Sequence, residues 1–171
     1  MPSTALAEPG NGGERPSTRT AWALGTVELT CWGALIYTFS VFLPVMHQSL
    51  GWSQTLITAA YSFSIAVRAV AVTAAGWWID RRGAAALMIT GALGGVIILV
   101  AWSAISSPVE LFAVFLGIGL VTSAVLYEPA FAIVVRLYPE RRTSALLIVT
   151  VLGGFASTIF LPAAGALTGW L

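Results

Sequence analysis

The sequence contains no lysine, one cysteine, one histidine and few charges of either sign. Charged residues account for 9% of the 171 positions, all eight basic residues are arginine, and the formal net charge is +1. Such a chain lacks the cationic surface that binds nucleic acid phosphates, so no nucleic acid partner is expected. The lone Cys31 excludes an internal disulfide and a cysteine-rich metal site.

Signatures of catalysis are missing as well. The sequence offers a single His, a single Cys, no pair of acids at metal-ligand spacing and no Gly-rich loop of the kind that cradles a phosphate. The common nucleophile, metal and nucleotide sites therefore have no candidates. We expect a protein that is not an enzyme and that carries neither a cofactor nor a metal ion.

Long apolar runs dominate what remains. Hydrophobic residues make up 58% of the chain, and the mean hydropathy is +0.90. The runs reach the roughly 20 residues that a helix needs to cross a lipid bilayer, and they lack the short alternation of barrel strands. The predicted fold class is an all-α membrane protein with about five transmembrane helices. The predicted spans are 22–43, 54–79, 84–105, 108–135 and 143–169.

The first twenty residues differ in composition from the rest of the chain. They are rich in Pro, Gly, Ser, Thr and charge, and they lack the apolar core of a signal peptide. Because such a segment buries too little apolar surface to order itself, residues 1–20 are predicted to be a disordered cytoplasmic tail. Residues 21–171 are predicted to form the transmembrane bundle.

Local signals mark several span boundaries. Pro44 follows the first apolar run, Ser53 is a candidate cap for the second, and Ser107 to Glu110 reads as a capping box before the fourth. Glycines four residues apart predict close helix packing in the third span (Gly91, Gly95) and in the fifth (Gly165, Gly169).

The arginines predict the orientation of the bundle. They precede the first span and occupy the second-to-third and fourth-to-fifth connections, whereas the alternate loops 44–53 and 106–107 carry no basic residue. The positive-inside rule therefore places the amino terminus in the cytoplasm and the even-numbered connections inside. The expected location is the plasma (inner) membrane, with lipid as the surrounding partner.

Three charged residues lie within predicted spans rather than at their ends: Glu28, Arg68 and Glu128. Each costs at least roughly 2.5–3.5 kcal/mol near a bilayer centre, so each needs a partner or a water-filled cavity. One interpretation is a structural tie between Arg68 and one glutamate. The other starts from the mismatch of two acids and one base, which leaves one glutamate free to carry a coupling proton while Arg68 holds an anion.

Helical periodicity groups further candidates around these charges. In the second span Tyr61 and Ser64 share a face with Arg68, which predicts a polar wall. The first span has two candidate faces. One contains Thr26, Thr30, Gly33, Tyr37 and Ser40, and the other contains Glu28, Trp32, Leu35 and Phe39. Periodicity leaves open which of them faces a cavity. In the fourth span Pro129, beside Glu128, predicts a bend.

The connection between the second and third spans reads GWWIDRRG over residues 76–83. Its pattern of Gly76, Asp80, Arg81 and Gly83 resembles the signature loop of the major facilitator superfamily. In that family the glycine admits a neighbouring helix, the acid and base form a charge clamp at the cytoplasmic gate, and the last glycine turns the chain. The segments YTFSVFLPVMHQSLGWSQT and YEPAFAIVVRLYPERRTSAL are similar to bacterial members near the monocarboxylate-transporter branch.

The resemblance, which covers about residues 22–171, implies a twelve-helix fold of two halves with alternating access to a central site. It implies that this chain is the amino-terminal part of a secondary active transporter and that a carboxy-terminal half is its missing partner. The expected substrate is a small organic solute, with an organic anion and proton symport as the options that Arg68, Glu28 and Glu128 suggest. The rival interpretation is a noncatalytic five-span membrane protein: a sensor, an assembly partner or an inactive truncated relic.

Overall fold

A computed structural model describes residues 18–168, a range in which the chain is helical and contains no strand. The elements are α1 (Thr18–Trp32), a π-helical segment (Gly33–Tyr37), α2 (Thr38–Leu50), α3 (Gln54–Arg82), α4 (Ala84–Ser103), α5 (Pro108–Val125), α6 (Tyr127–Leu137), α7 (Arg142–Gly154) and α8 (Ala156–Thr168). The predicted tail lies outside the described residues up to position 17, and positions 18–20 begin α1.

Within the described range these elements join into five helices that are long and apolar enough to cross a membrane. They are Thr18–Leu50, Gln54–Arg82, Ala84–Ser103, Pro108–Leu137 and Arg142–Thr168, and we refer to them as the first to fifth spans. The predicted fold class is thereby confirmed. The chain is a multi-pass membrane protein, since each of these helices needs an apolar surrounding for its exposed side chains.

Polar caps begin two of the spans where the sequence predicted them. The Ser53 side chain accepts a hydrogen bond from the backbone at the start of α3. Ser107 and Glu110 form a complete capping box at the start of α5. The first span, in contrast, does not end at Pro44 but continues through it to Leu50. A proline is tolerated inside a membrane helix because neighbouring groups satisfy the carbonyl that it leaves free.

Three of the five spans are interrupted near their middle. The first contains the π segment, the fifth contains the turn residue Phe155, and the fourth breaks at Leu126, whose backbone is extended (φ −83°, ψ −166°). Pro129 accounts for the break in the fourth span, because it lacks an N–H and its ring crowds the carbonyl four residues earlier. The sequence predicted a bend at Pro129. The structure has a full break before it, and Pro129 lies in the first turn of α6.

The fourth span is the most buried of the five and packs against the second and third. The first span packs along the fifth. An aromatic cluster that includes Phe39, Trp102 and Phe115 fills one end of the bundle, and a cluster that includes Val134 and Val149 fills the other.

Glycines allow the closest helix contacts. A side chain at Gly119 would meet the backbone oxygen of Ser64, so the second and fourth spans touch there without intervening side chains. Gly91 lies against Ala124 of the fourth span, which confirms the predicted close packing of the third. Gly165, in contrast, has open space around it, and its predicted partner Gly169 lies outside the described residues.

Candidate functional site

An ion pair joins the second and fourth spans. Nη2 of Arg68 donates to both carboxylate oxygens of Glu128, at 2.9 Å and 3.2 Å. The Arg68 side chain is 23% exposed and the Glu128 side chain 40% exposed. The pair is thus formed at the surface of the bundle rather than sealed inside it, and both partners are accessible from the same side.

The indole of Trp32 forms the floor under the arginine. The guanidinium carbon of Arg68 lies 5.7 Å from the centre of the Trp32 ring, within the range of a cation–π contact. The Trp32 ring in turn lies 5.4 Å from the ring of Tyr127 and 6.1 Å from that of Tyr37. Trp32, Tyr37 and Tyr127 therefore form one aromatic group, here called the aromatic wall, which meets the ion pair through the Trp32 ring.

Glu28 lies behind this wall and is 0% exposed. Neither of its carboxylate oxygens has a hydrogen-bond partner among residues 18–168. The indole N–H of Trp32, one helical turn further on, is near enough to interact with the carboxyl group, yet it too lacks a partner in hydrogen-bonding geometry within the described range. Arg68 and Glu128 also contribute to the electrostatic field at Glu28. Glu28 is therefore the buried and unpaired acid of the cluster.

The break at Leu126 positions the groups contributed by the fourth span. Because α6 starts afresh at Tyr127, Glu128 lies in the first turn of a helix, where the backbone dipole and free N–H groups favour a negative charge. The hydroxyl of Tyr127 reaches the fifth span and lies directly against Gly153. Since Tyr127 contacts Trp32 as well, the interruptions of the first, fourth and fifth spans meet at one depth.

The first span contributes different sequence faces to the site before and after the π segment. Glu28 and Trp32 face the bundle, whereas Thr26 and Thr30 are exposed and donate their hydroxyls to their own helix. Sequence periodicity placed Tyr37 on the opposite face from Trp32. A π turn spans one residue more than an α turn, so it rotates the residues that follow, and Tyr37 comes next to Trp32.

Two residues of the predicted polar wall have apolar surroundings. Tyr61 stacks on Phe39, with ring centres 4.2 Å apart, and packs against the aromatic cluster. Ser64 is buried against Gly119, and its hydroxyl donates to the carbonyl of Tyr61 at 2.7 Å. The structure thus places Ser64 in the contact between spans, with its hydroxyl already used by its own helix. Arg68 is the residue of this face that reaches the ion pair.

The gate-loop residues lie apart from the cluster, at the end of α3. Gly83 has φ +84°, a conformation that favours glycine, and it caps the helix as the predicted turn requires. The guanidinium carbon of Arg81 lies 3.9 Å from the ring centre of Trp77, so Arg81 stacks on the indole. Asp80 is exposed, and Gly76 has open space around it in the described part of the chain. Gly76 and Asp80 therefore lie on a surface that no other described helix covers.

The sequence placed Trp32 on one of two candidate faces of the first span and did not single out Tyr127. Trp32 follows Glu28 by four positions, a spacing that places both on one helix face, and Tyr127 directly precedes Glu128. An aromatic residue near an intramembrane acid was thus the sequence pattern that could have identified these two site residues. Such residues are also common at the ends of spans, and this hides them among the other Trp and Tyr residues.

The chemistry of the cluster is that of ion recognition between membrane-spanning helices. The guanidinium of Arg68 offers donors for a carboxylate, and Glu128 is bonded to it. The other acid, Glu28, is buried without a hydrogen-bond partner among residues 18–168. Ionisable groups at mid-membrane that share a site with irregular helices are typical of secondary transporters.

Comparison with protein families agrees with this class. Residues 29–171 match the Major Facilitator Superfamily, and the chain belongs to that family. Membership indicates a membrane transporter rather than an enzyme. Neither a curated protein nor a solved structure gives a match.

Proposed function

We propose that this chain is part of a secondary active transporter that moves a small organic anion across the plasma membrane by alternating access. The observation that carries the proposal is the Arg68–Glu128 pair, at 2.9 Å, formed between two spans and open to one side. Its guanidinium suits a carboxylate substrate, because it offers donors in a planar fork. An incoming carboxylate would replace Glu128 at the same donors.

The aromatic wall supports a small organic substrate rather than an inorganic ion. The Trp32 ring lies beside Arg68 and contacts the rings of both Tyr37 and Tyr127. Binding sites for organic molecules combine apolar and aromatic walls with a few polar groups that fix orientation. The cluster has this composition, with the charge at one point and the rings around it.

A coupling proton belongs to the same proposal, carried by Glu28 or Glu128. Two acids face one base, so the bundle holds one more acid than Arg68 can neutralise. An acid that must shed its charge in order to be buried is a natural proton carrier. Proton symport with an organic anion would move both in the same direction.

The exposed side of the cluster and the gate loop require a partner in this proposal. The carboxy-terminal half of the transporter would supply the opposite wall of the cavity facing Glu128, and a helix of that half would pack on Gly76. The arginine-bearing connections would lie in the cytoplasm. The clamp between Asp80 and Arg81 would then close against the partner half.

Uptake measurements on the complete reading frame that contains this chain test the proposal. The reconstituted protein is supplied with radiolabelled small monocarboxylates and, in parallel, with the neutral amide of each. We expect uptake of at least one carboxylate, stimulation by an inward proton gradient, and no uptake of its amide. Equal uptake of acid and amide would contradict an anion site at Arg68.

The rival five-span protein is tested at the nucleotide level. The proposal expects six or seven further hydrophobic runs, separated by a long central loop, in the reading frame beyond the Leu171 codon. A stop codon directly after Leu171, together with stable expression of the folded chain, would favour the noncatalytic membrane protein.

A further inference from the structure

Glu28 is the one ionisable side chain of the cluster that the proposed anion site does not use. Arg68 is already bonded to Glu128, and the aromatic wall contributes no cation. The carboxyl group of Glu28 is nevertheless fully buried, and both of its oxygens are without a hydrogen-bond partner in the part of the chain that the structure describes. A group in this position calls for a function of its own.

Burial without a partner fixes the chemical form of this carboxyl group. A carboxylate removed from water and left unpaired is strongly disfavoured, whereas the neutral acid tolerates an apolar surrounding. In the conformation described here, Glu28 is therefore expected to hold a proton. Glu128, in contrast, is partly exposed and has Arg68 as its ion-pair partner.

The titratable and charged groups near Glu28 are consistent with this assignment. Arg68 in the second span contributes a positive charge and Glu128 in the fourth a negative one, and these two residues form an ion pair with each other. Tyr127 of the fourth span is also near the carboxyl group, and Cys31 lies on the same helix. The charged neighbours of Glu28 thus form a neutral pair, which leaves no net charge to hold a carboxylate there.

One hydrogen-bond donor for an ionised Glu28 is nevertheless close by. The indole N–H of Trp32 lies near the Glu28 carboxyl group and, within residues 18–168, is itself without a partner. A small rotation would let it donate to the ionised carboxylate. The guanidinium of Arg68 lies over the face of the same indole. A movement of Trp32 would therefore change the surroundings of both Glu28 and Arg68.

We infer that Glu28, and not Glu128, is the residue that binds the coupling proton, and that Trp32 is a positioning residue which donates its N–H when the proton leaves. This inference rests on the proposed transport function. The step is an acid dissociation, in which the O–H bond of Glu28 breaks and the proton passes to water that enters when the bundle opens. No bond to the transported solute forms or breaks.

Infrared spectroscopy of the full-length protein in lipid vesicles tests the assignment without a substrate. The protonated carboxyl group gives a C=O absorption at neutral pH that a carboxylate lacks. We expect this absorption to disappear in Glu28→Gln and to persist in the matched variant Glu128→Gln. Persistence in Glu28→Gln, or loss in Glu128→Gln alone, would overturn the inference. If Glu28→Gln does not fold, Glu28→Asp must retain the absorption at a changed frequency.

The role of Trp32 has a separate readout. Trp32→Phe keeps an aromatic ring under Arg68 but removes the N–H, so the ionised form of Glu28 loses its donor. The C=O absorption should then persist to a pH higher by about one unit, the effect of one hydrogen bond to a charged group. An unchanged titration would contradict the positioning role and leave Trp32 as a packing residue.

Transport of a radiolabelled monocarboxylate completes the test. In Glu28→Gln, accumulation driven by a proton gradient should be lost while exchange of labelled for unlabelled solute continues, because exchange needs no net proton release. Retained accumulation would overturn the inference. If the protein moves no carboxylate at all, the proposed function fails, and the infrared titration still decides whether Glu28 binds a proton.

Discussion

Arg68 and Glu128 come from different spans, and Nη2 of the arginine lies 2.9 Å from Oε1 and 3.2 Å from Oε2 of the glutamate. The two partners are 60 residues apart in the sequence, so the bundle itself brings them together. Since both side chains keep part of their surface exposed, the pair is weakly held compared with a buried one. It is suited to open when a competing anion arrives.

Replacement of the arginine should remove anion uptake. Without the guanidinium, an entering carboxylate loses a hydrogen bond to a charged group, an interaction worth about 1.5–3 kcal/mol. Arg68→Ala should therefore lower uptake at least about tenfold. The measurement is initial uptake by the complete protein at matched membrane expression. Arg136→Ala, which removes an exposed arginine near a span end, serves as the control and should transport normally. Unaffected uptake in Arg68→Ala would refute the anion site.

Replacement of Glu128 should strengthen anion binding rather than weaken it. Glu128 competes with the substrate for Arg68, and a partly exposed pair is worth up to about 1 kcal/mol. Glu128→Gln should therefore lower the half-saturating anion concentration by up to about fivefold. Concentration series of initial uptake check this expectation, and a rise in that concentration would mean that Glu128 binds substrate itself.

The contact between the second and fourth spans makes a stability prediction. A Cβ at position 119 would collide with the Ser64 backbone oxygen, so Gly119→Ala should lower the free energy of unfolding by about 1–3 kcal/mol. Gly165→Ala is the matched control, because no described residue would meet a side chain at that position and alanine gains up to about 1 kcal/mol in a helix. Denaturant titration of the purified protein compares the two. Equal stabilities would show that the contact at Gly119 accommodates a methyl group.

Chemical labelling tests the orientation that the arginines predict. In a Cys31→Ser background, single cysteines are placed at the exposed positions Gln54 and Glu140, which begin the second span and precede the fifth. A membrane-impermeant maleimide should label Gln54→Cys in intact cells and Glu140→Cys after permeabilisation only. The reverse pattern would invert the topology and exclude a cytoplasmic gate loop at Asp80.

The open surface at Gly76 makes a prediction about the partner half. A larger side chain there meets nothing in the described chain, so Gly76→Leu should leave the stability of this bundle unchanged. In the complete transporter it should obstruct the approach of a partner helix and reduce transport. Ala74→Leu, also exposed and on another face of the helix, should be tolerated. Equal activity of the two variants would argue against helix packing at Gly76.

Much of this architecture follows from the sequence, because hydrocarbon leaves few options. Apolar runs of sufficient length must be helical in lipid, so the span count is readable, and caps such as Ser107 with Glu110 mark their beginnings. The three intramembrane charges were likewise visible, since each is costly in lipid. Their pairing was not, because the pair joins residues 60 positions apart in different spans.

The irregular backbone accounts for the faces that periodicity misplaced. A count of 100° per residue assumes an unbroken α-helix, and the π segment before Tyr37 rotates everything that follows. The π segment contains no proline or charged residue that would have predicted it from the sequence. Pro129 did announce an irregularity in the fourth span, but the sequence could not place the break at Leu126.

The interruptions of the first, fourth and fifth spans have a mechanical consequence. Their shared depth, marked by the contacts of Tyr127 with Trp32 and Gly153, makes one layer more compliant than the stiff helical segments above and below it. We expect a load applied at either membrane face to be transmitted along those segments and absorbed in that layer. Deformation and charge rearrangement are therefore concentrated in the same few ångströms of the protein, around Glu28 and Arg68.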